Sequence, residues 1–321
     1  MSSQDLRVGS LPYLSEAFLA QLHISPAELV KEVERQIIGQ RRGEVWCAPK
    51  AAVWPGDDRF VMATLGIASE PCVVATKALV LNPRNVNRGI ATLNSLITLQ
   101  DGETGLPIAV IDGNWVTEKR TAALSIVAAK RLANPNSTIA AFIGCGIQAR
   151  GHLEALGESY PLREMRAFGR GAVNRDMLCQ LARSRGLQAV ACDTAKAAIE
   201  GADIVVTTLT LAPEPQPFLD ARWLKPGSFT TMVDLALPWL PETMRSFDRI
   251  IIDDLEQEAK MIKPMVRSEL VTGDLTRLVC GDVPGRQNND ERTTFAFRGL
   301  AVGDLAVAGH AYVRAKSIGA L

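Results

Sequence analysis

Residues 138–149, TIAAFIGCGIQA, run from an apolar, strand-like segment through two glycines into a segment with helical periodicity. Gly144, Gly146 and Ala149 fit the pattern G-x-G-x-x-G/A in its required strand–turn–helix context. Two glycines let the backbone turn tightly and approach an anion, and the N–H groups at the start of a helix point toward that anion. This loop predicts a β–α unit that holds the pyrophosphate of a dinucleotide.

The same alternation of strand-like and helix-like segments continues along the chain. Runs rich in Val, Ile, Thr and Phe predict strands at 138–144, 165–169, 188–193, 203–210, 228–234 and 249–254. Repeated β–α units of this kind favour a parallel, doubly wound α/β sheet. The 321 residues also suffice for two domains of roughly 150 residues each. We therefore expect a second domain outside this region.

The parts of the chain on either side of this region have different sequence patterns. Residues 1–40 read as helical, and a helix near 26–40 is the clearest part of that segment. Residues 45–111 contain short strand-like runs broken by Pro, Gly and Asn, which predicts a sheet with meander connections. Two further helices are predicted, an alanine-rich one over 117–132 and an amphipathic one over 297–321. We expect the last helix to pack on the first domain.

Composition excludes several classes of protein. Lys+Arg and Asp+Glu balance at 35 each, which argues against a nucleic-acid partner. No run of about 18 apolar residues and no leader-like start is present, so we expect a cytoplasmic protein without membrane contact. Three histidines and six scattered cysteines offer little for a histidine triad or a metal site, and we expect no metal. Acid–base chemistry would then fall to Lys, Asp, Glu or water.

The end of the second predicted strand bears on which dinucleotide binds. An acidic residue there would favour NAD, whereas an arginine accommodates the 2′-phosphate of NADP. The chain reads Phe168-Gly169-Arg170-Gly171 at this point, without a carboxylate. We expect NADP(H) to be preferred, with NAD(H) possible. The alternative is that Arg170 is a solvated surface charge.

Three charged residues stand out by their local context. Lys77 lies in the apolar run VVATKALVL (73–81), where a buried lysine needs a bound carboxylate or a nearby aspartate as counter-charge. Arg120 is predicted near the start of a helix and can grip a carboxylate with two parallel hydrogen bonds. Asp234 closes a predicted strand, and the carboxyl ends of parallel strands are where such sheets bind ligands. The alternatives are a solvent-facing lysine, a surface ion pair and a helix cap.

A series of motifs in this order resembles the ornithine cyclodeaminase/μ-crystallin family. They are NRG at 87–89, DGETG at 101–105, RTAA at 120–123, the glycine loop at 144–149 and GLAVGDLAVA at 299–308. The resemblance implies a Rossmann domain over 119–296, inserted into an α+β substrate-binding and dimerisation domain over 1–118 and 297–321. It also implies a homodimer.

The resemblance further implies chemistry at the α-carbon of a small amino or imino acid. The expected reaction is NAD(P)H-dependent reduction of a cyclic ketimine of the pyrroline- or piperideine-2-carboxylate type, or the reverse oxidation. The alternatives are ornithine cyclodeamination with catalytic NAD, and a non-catalytic NADP-dependent ligand-binding protein. The segment after Asp234, Leu235 to Leu240, departs from the family pattern and is apolar, which argues against ornithine.

Roles for individual residues follow from the same resemblance. The substrate carboxylate would be bound by Arg120, Lys77 and Lys50, the last standing where the family usually has an arginine. The catalytic residues would be Lys77 and Asp234. Asp304 is interpreted as structural, capping or pairing near the start of the last helix. The expected cofactor-binding residues are Thr121, Gly144, Gly146, Ile147, Gln148, Ala149, Arg170 and Thr208.

Overall fold

A computed structural model describes residues 11–210 and 216–321 of the chain. The described chain divides into two compact units. Unit 1 ends at Arg120 and resumes over Ala301–Leu321, and unit 2 is Thr121–Leu300. The helical interpretation of residues 1–40 falls partly outside the described residues, and within them it is wrong at Tyr13–Leu14, which form a strand.

Unit 1 contains a seven-stranded sheet among its described residues, with the order β1-β7-β6-β5-β4-β2 and β3 paired to β4. Its strands are β1 (Tyr13–Leu14), β2 (Val45–Cys47), β3 (Ala51–Val53), β4 (Phe60–Ser69), β5 (Cys72–Leu81), β6 (Leu93–Asp101) and β7 (Pro107–Asp112). Neighbouring strands are antiparallel except β1 and β7. The meander expected over 45–111 is therefore observed in β4 to β7.

The helices of unit 1 are α1 (Glu16–Gln21), α2 (Pro26–Arg42), the first part of α3 (Gly113–Leu132) and α9 (Ala301–Ser317). Helix α9 covers one face of the sheet, and α2 contacts both α9 and β2. Helix α2 begins with a capping box between Ser25 and Glu28. As predicted, the last helix packs on the first part of the chain, against α2, β4 and β5. Gly66 on β4 permits this, because a Cβ there would lie 3.4 Å from Leu305 and 3.0 Å from the Cys47 sulfur.

Unit 2 is a doubly wound parallel sheet of the Rossmann type. The order of its eight described strands is β10-β9-β8-β11-β12-β15-β13-β14, and every pair is parallel. These strands are β8 (Ile139–Ile143), β9 (Glu164–Phe168), β10 (Gln188–Ala191), β11 (Ile204–Thr207), β12 (Phe229–Met232), β13 (Arg249–Ile252), β14 (Gly273–Asp274) and β15 (Thr293–Ala296). The strand order reverses between β8 and β11, the point where such sheets bind ligands.

The helices of unit 2 follow its strands. They are the second part of α3, then α4 (Ile147–Ser159), α5 (Ala172–Ser184), α6 (Ala195–Ile199), α7 (Leu255–Ala259) and α8 (Leu275–Cys280). No helix within residues 11–210 and 216–321 is long and apolar enough to span a membrane.

Two element predictions are corrected by the structure. Helix α3 begins at Gly113 rather than at residue 117, because the Asp112 carboxylate accepts hydrogen bonds from the backbone N–H groups of Asn114 and Trp115. Arg120 therefore lies inside the helix and not at its start. The predicted strands also omit the two-residue β14 and omit β15, which is inserted between β12 and β13. Its four buried residues are too short a run to show a period.

Candidate functional site

The first group of candidate residues lies in unit 1 and is here called the basic cluster: Lys77, Arg120, Asp304 and Thr64. Lys77 on β5 lies opposite Thr64 on β4, and both side chains are on the face covered by α9. Lys77 is 1% exposed. A lysine in such a position requires a counter-charge, and Asp304 in the first turn of α9 supplies it.

Asp304 holds the basic cluster together. Its Oδ1 accepts a hydrogen bond from Lys77 Nζ at 2.6 Å and lies 3.2 Å from Arg120 Nε. Its Oδ2 accepts a hydrogen bond from the Thr64 hydroxyl at 3.1 Å. The pairing expected of Asp304 is thus observed, and with the two residues predicted to bind a carboxylate. Sequence reasoning treated it as structural, although an aspartate within an apolar helix, GLAVGDLAVAGH, was a signal of a buried charge contact.

Burial and charge shift the ionisation of this cluster. Burial lowers the pKa of Lys77 to about 8, although Asp304 opposes that shift. Burial alone would raise the pKa of Asp304, but the charges of Lys77 and Arg120 lower it below its ordinary value. The cluster therefore contains two cations and one anion at neutral pH, which suits an anionic ligand. Lys50, half-buried in the loop between β2 and β3, adds positive charge that also lowers the pKa of Lys77.

The second group lies in unit 2, at the carboxyl ends of β8, β11 and β12. Gly144 follows β8 with φ +91°, and a Cβ there would lie 2.8 Å from the Thr208 carbonyl oxygen. Only glycine fits this turn without strain. The Thr208 hydroxyl donates a hydrogen bond to the Gly144 carbonyl at 3.1 Å, so it fixes the turn itself.

Gly146 is the N-cap of α4 and makes no side-chain cap hydrogen bond. A Cβ at Gly146 would meet no atom within 4 Å, so there is open space beside the backbone N–H groups of the first turn. Ile147 is half exposed, Gln148 half-buried and Ala149 buried in this turn. A glycine cradle, uncapped N–H groups and a small buried Ala149 fit the pyrophosphate of a dinucleotide.

Two other expected cofactor residues lie on segments other than the glycine loop. Arg170 is exposed between β9 and the N-cap of α5, at the position that meets the adenosine ribose in this fold. Thr121 is buried within α3, at the first residue of unit 2. Within the described ranges, no group of three or more His, Cys, Asp or Glu side chains could hold a metal ion.

Asp234 follows β12 and is 2% exposed. Its carboxylate accepts hydrogen bonds from the Thr207 hydroxyl at 2.8 Å and from the Leu209 N–H at 3.1 Å. Burial raises the pKa of Asp234 to about 6, while these hydrogen bonds lower it. A carboxyl group with this pKa can both take up and release a proton near neutral pH.

The segment after Asp234 adopts an unusual backbone. Leu235 and Ala236 have φ of +60° and +57°, a left-handed conformation that disfavours L-residues by about 1–2 kcal/mol each. Ala236 and Trp239 are buried in the core of unit 2, where Trp239 packs edge-on against Phe247. The apolar character of this segment is therefore partly explained by core packing, and it is a weaker argument against ornithine than the sequence suggested.

Comparison with known proteins places these groups in context. The sequence profile of the ornithine cyclodeaminase/mu-crystallin family matches residues 15–319. Alanine dehydrogenase from Archaeoglobus fulgidus is 31% identical over 246 residues, which cover 74% of this chain and 75% of that protein.

Two solved structures resemble the fold over almost its full length. Thermococcus litoralis Δ1-pyrroline-2-carboxylate reductase in complex with NADH and L-proline has a TM-score of 0.89 at 26% identity, covering 96% of this chain and 98% of that one. An archaeal alanine dehydrogenase dimer with bound NAD has a TM-score of 0.84 at 27% identity, covering 96% and 97%.

Proposed function

The chain belongs to the ornithine cyclodeaminase/mu-crystallin family, and on that premise we propose that it is an NAD(P)H-dependent reductase of small cyclic ketimines, or the corresponding amino-acid dehydrogenase in reverse. The observation that carries this proposal is the basic cluster. Two buried cations share one carboxylate, so the cluster favours a further anion such as the carboxylate of an α-imino acid.

Each candidate residue has a role in this reaction. Arg120, Lys77 and Lys50 bind the substrate carboxylate, Arg120 with two parallel hydrogen bonds. The dinucleotide, when bound by the loop from Gly144 to Ala149, supplies the hydride that the α-carbon accepts. Asp234 or Lys77 exchanges the proton of the substrate nitrogen, for which pKa values of about 6 and about 8 are suitable.

Arg170 supports a preference for NADP(H). The position after β9 has an exposed arginine instead of the carboxylate that would bind a ribose diol. An Arg170→Asp protein should bind NADPH at least about tenfold more weakly and should gain affinity for NADH. An unchanged ratio of the two affinities would show that Arg170 is a surface charge without contact to the cofactor.

We also propose a homodimer formed through the open face of the unit 1 sheet. That face presents the exposed side chains of Trp46, Leu65, Val80 and Leu96, which strand pairing places on one side. Apolar patches of this kind are typical of protein interfaces. The archaeal alanine dehydrogenase is itself a dimer, which agrees with this proposal.

The enzymatic proposal is tested by nicotinamide absorbance with NADPH and NADH in parallel. The substrates are pyrroline-2-carboxylate, piperideine-2-carboxylate, and pyruvate with ammonia; ornithine with NAD is assayed separately for ammonia release. We expect oxidation of the reduced cofactor with a cyclic imine. Ammonia release from ornithine without net NADH would instead identify a cyclodeaminase, and binding of the cofactor without turnover of any substrate would identify a ligand-binding protein.

A further inference from the structure

The contacts of Asp304 indicate more than a structural role. Both of its carboxylate oxygens are engaged, one by the two cations of the basic cluster and the other by Thr64. The aspartate is 3% exposed. One carboxylate thus joins side chains from β4, β5 and α3, and it lies 240 positions from Thr64 and 227 from Lys77 in the sequence.

The backbone holds this carboxylate in place. Helix α9 lies close to the sheet because small residues stand at the contacts: Gly66 on β4, and Gly309 on α9, where a Cβ would lie 3.3 Å from Pro71 and 3.4 Å from Val73. Asp304 is in the first turn of this helix. A short side chain on a closely packed helix has little freedom, so Asp304 offers a fixed point for the longer side chains of Lys77 and Arg120.

Lys77 depends on this fixed point in two ways. Burial lowers the pKa of Lys77, and the charge of Arg120 lowers it further, while Asp304 is the group that raises it. Without the aspartate, two like charges would also repel each other in a buried setting. Both the charge of Lys77 and its distance from Arg120 therefore follow from the carboxylate between them.

We propose that Asp304 is a positioning residue for substrate binding: it holds Lys77 charged and beside Arg120, so that their other N–H groups meet the substrate carboxylate together. Lys77 Nζ has three donors and directs one to Asp304, while Arg120 faces Asp304 with Nε. The forked end of the Arg120 guanidinium is then available for bidentate binding. This proposal rests on the proposed function.

The test measures binding rather than turnover. The probe is pyrrole-2-carboxylate, a planar carboxylate that cannot accept a hydride, titrated calorimetrically into the dinucleotide-loaded protein between pH 6 and 9. Wild-type affinity should fall as pH rises through about 8, where Lys77 loses its proton. Asp304→Asn should weaken binding about 100-fold at pH 8 and move the fall in affinity at least about one pH unit lower. Dinucleotide affinity, which depends on unit 2, should stay within about twofold.

Asp304→Glu is the matched variant, and it also serves if Asp304→Asn does not fold. It keeps the charge but shifts the carboxylate, so it should bind the probe about tenfold more weakly with the pH midpoint of the wild type. A purely structural Asp304 would lower the melting temperature of either variant and leave the pH midpoint and probe affinity of the folded protein unchanged, which would overturn the proposal. A wild-type protein that neither binds the probe nor reduces an imine would refute the proposed function instead.

Discussion

At the scale of single residues, burial moves the pKa values of two ionisable groups toward neutral pH, one from above and one from below. The pKa of Lys77 is lowered to about 8 and that of Asp234 is raised to about 6, in each case chiefly because the charged form loses hydration. Shifts of this kind are concentrated at functional sites. Both groups can therefore change protonation state in the pH range in which an enzyme of this family would work.

The raised pKa of Asp234 predicts an acid limb in the pH profile. If Asp234 is the group that accepts the proton in the proposed oxidative direction, its ionised form is present above about pH 6 and is lost as pH falls through that value. We expect kcat to drop about tenfold per pH unit below 6, and Asp234→Asn to lower kcat about 100-fold and remove the limb. The control is Asp253→Asn, another buried aspartate after a strand of unit 2. An acid limb that survives in Asp234→Asn would assign that proton to another group.

Arg120 is predicted to contribute mainly to substrate affinity. Arg120→Ala should raise KM for the imino acid about 100-fold, since charged hydrogen bonds contribute roughly 1.5–3 kcal/mol each. Dinucleotide affinity should change little. Lys119→Ala is the matched control, because adjacent residues lie on different faces of α3 and Lys119 pairs with Glu118 instead. Equal effects of the two substitutions on KM would contradict the carboxylate role of Arg120.

At the scale of elements, the glycine loop contains two glycines for different physical reasons. Gly144 is required by the fold, since its φ is +91° and the Thr208 carbonyl leaves no room for a Cβ. Gly146 has an ordinary φ of −76° and open space around its missing side chain. A folding requirement therefore explains the first glycine and not the second, which is consistent with close approach of a pyrophosphate at Gly146.

This difference predicts separable effects of two alanine substitutions. Gly144→Ala should lower the melting temperature by about 4 °C or more, because it combines a positive φ with a steric clash. Gly146→Ala should leave the melting temperature within about 1 °C and raise the Kd of the dinucleotide at least about tenfold. Thermal melts and cofactor fluorescence titrations measure the two properties. If the Gly146→Ala protein bound the dinucleotide as tightly as the wild type, the pyrophosphate would not lie against Gly146.

At the scale of the whole molecule, the sheet of unit 1 has one face covered by helices and one face exposed. The covered face contains the basic cluster, and the other presents large apolar side chains to solvent. A pleated strand alternates its side chains between faces. Lys77 therefore lies on the covered face, whereas the residues next to it on β5 lie on the exposed face. Under the two proposals made above, β5 would contribute to substrate binding with one face and to self-association with the other.

The homodimer predicts a mass of about twice 34.7 kDa in sedimentation equilibrium. Leu65→Glu places a charge on the exposed face and should give the mass of a single chain. Ile318→Glu, at another exposed apolar residue just after α9, is the control and should leave the mass unchanged. A wild-type protein that sediments as one chain at micromolar concentration would refute the dimer.

The features that were predictable from the sequence are those that depend on neighbouring residues. The glycine loop, the β–α alternation, the meander of unit 1 and the apolar surroundings of Lys77 are all local patterns, and local periodicity and turn chemistry report them. The predicted start of α3 was wrong because the Asp112 carboxylate caps the helix before the alanine-rich segment from which the start was predicted.

Contacts between residues that are distant in the sequence were not predictable, because they depend on how the chain packs. The partner of Lys77 is 227 positions away, and although the apolar sequence around Asp304 indicates a buried charge contact, no local pattern identifies Lys77 as its partner. Two other features also depend on how the chain packs: the insertion of β15 between β12 and β13, and the raised pKa of Asp234. Strand order and burial are properties of the packed chain, and electrostatic interactions between groups depend on distance in space rather than on separation in sequence.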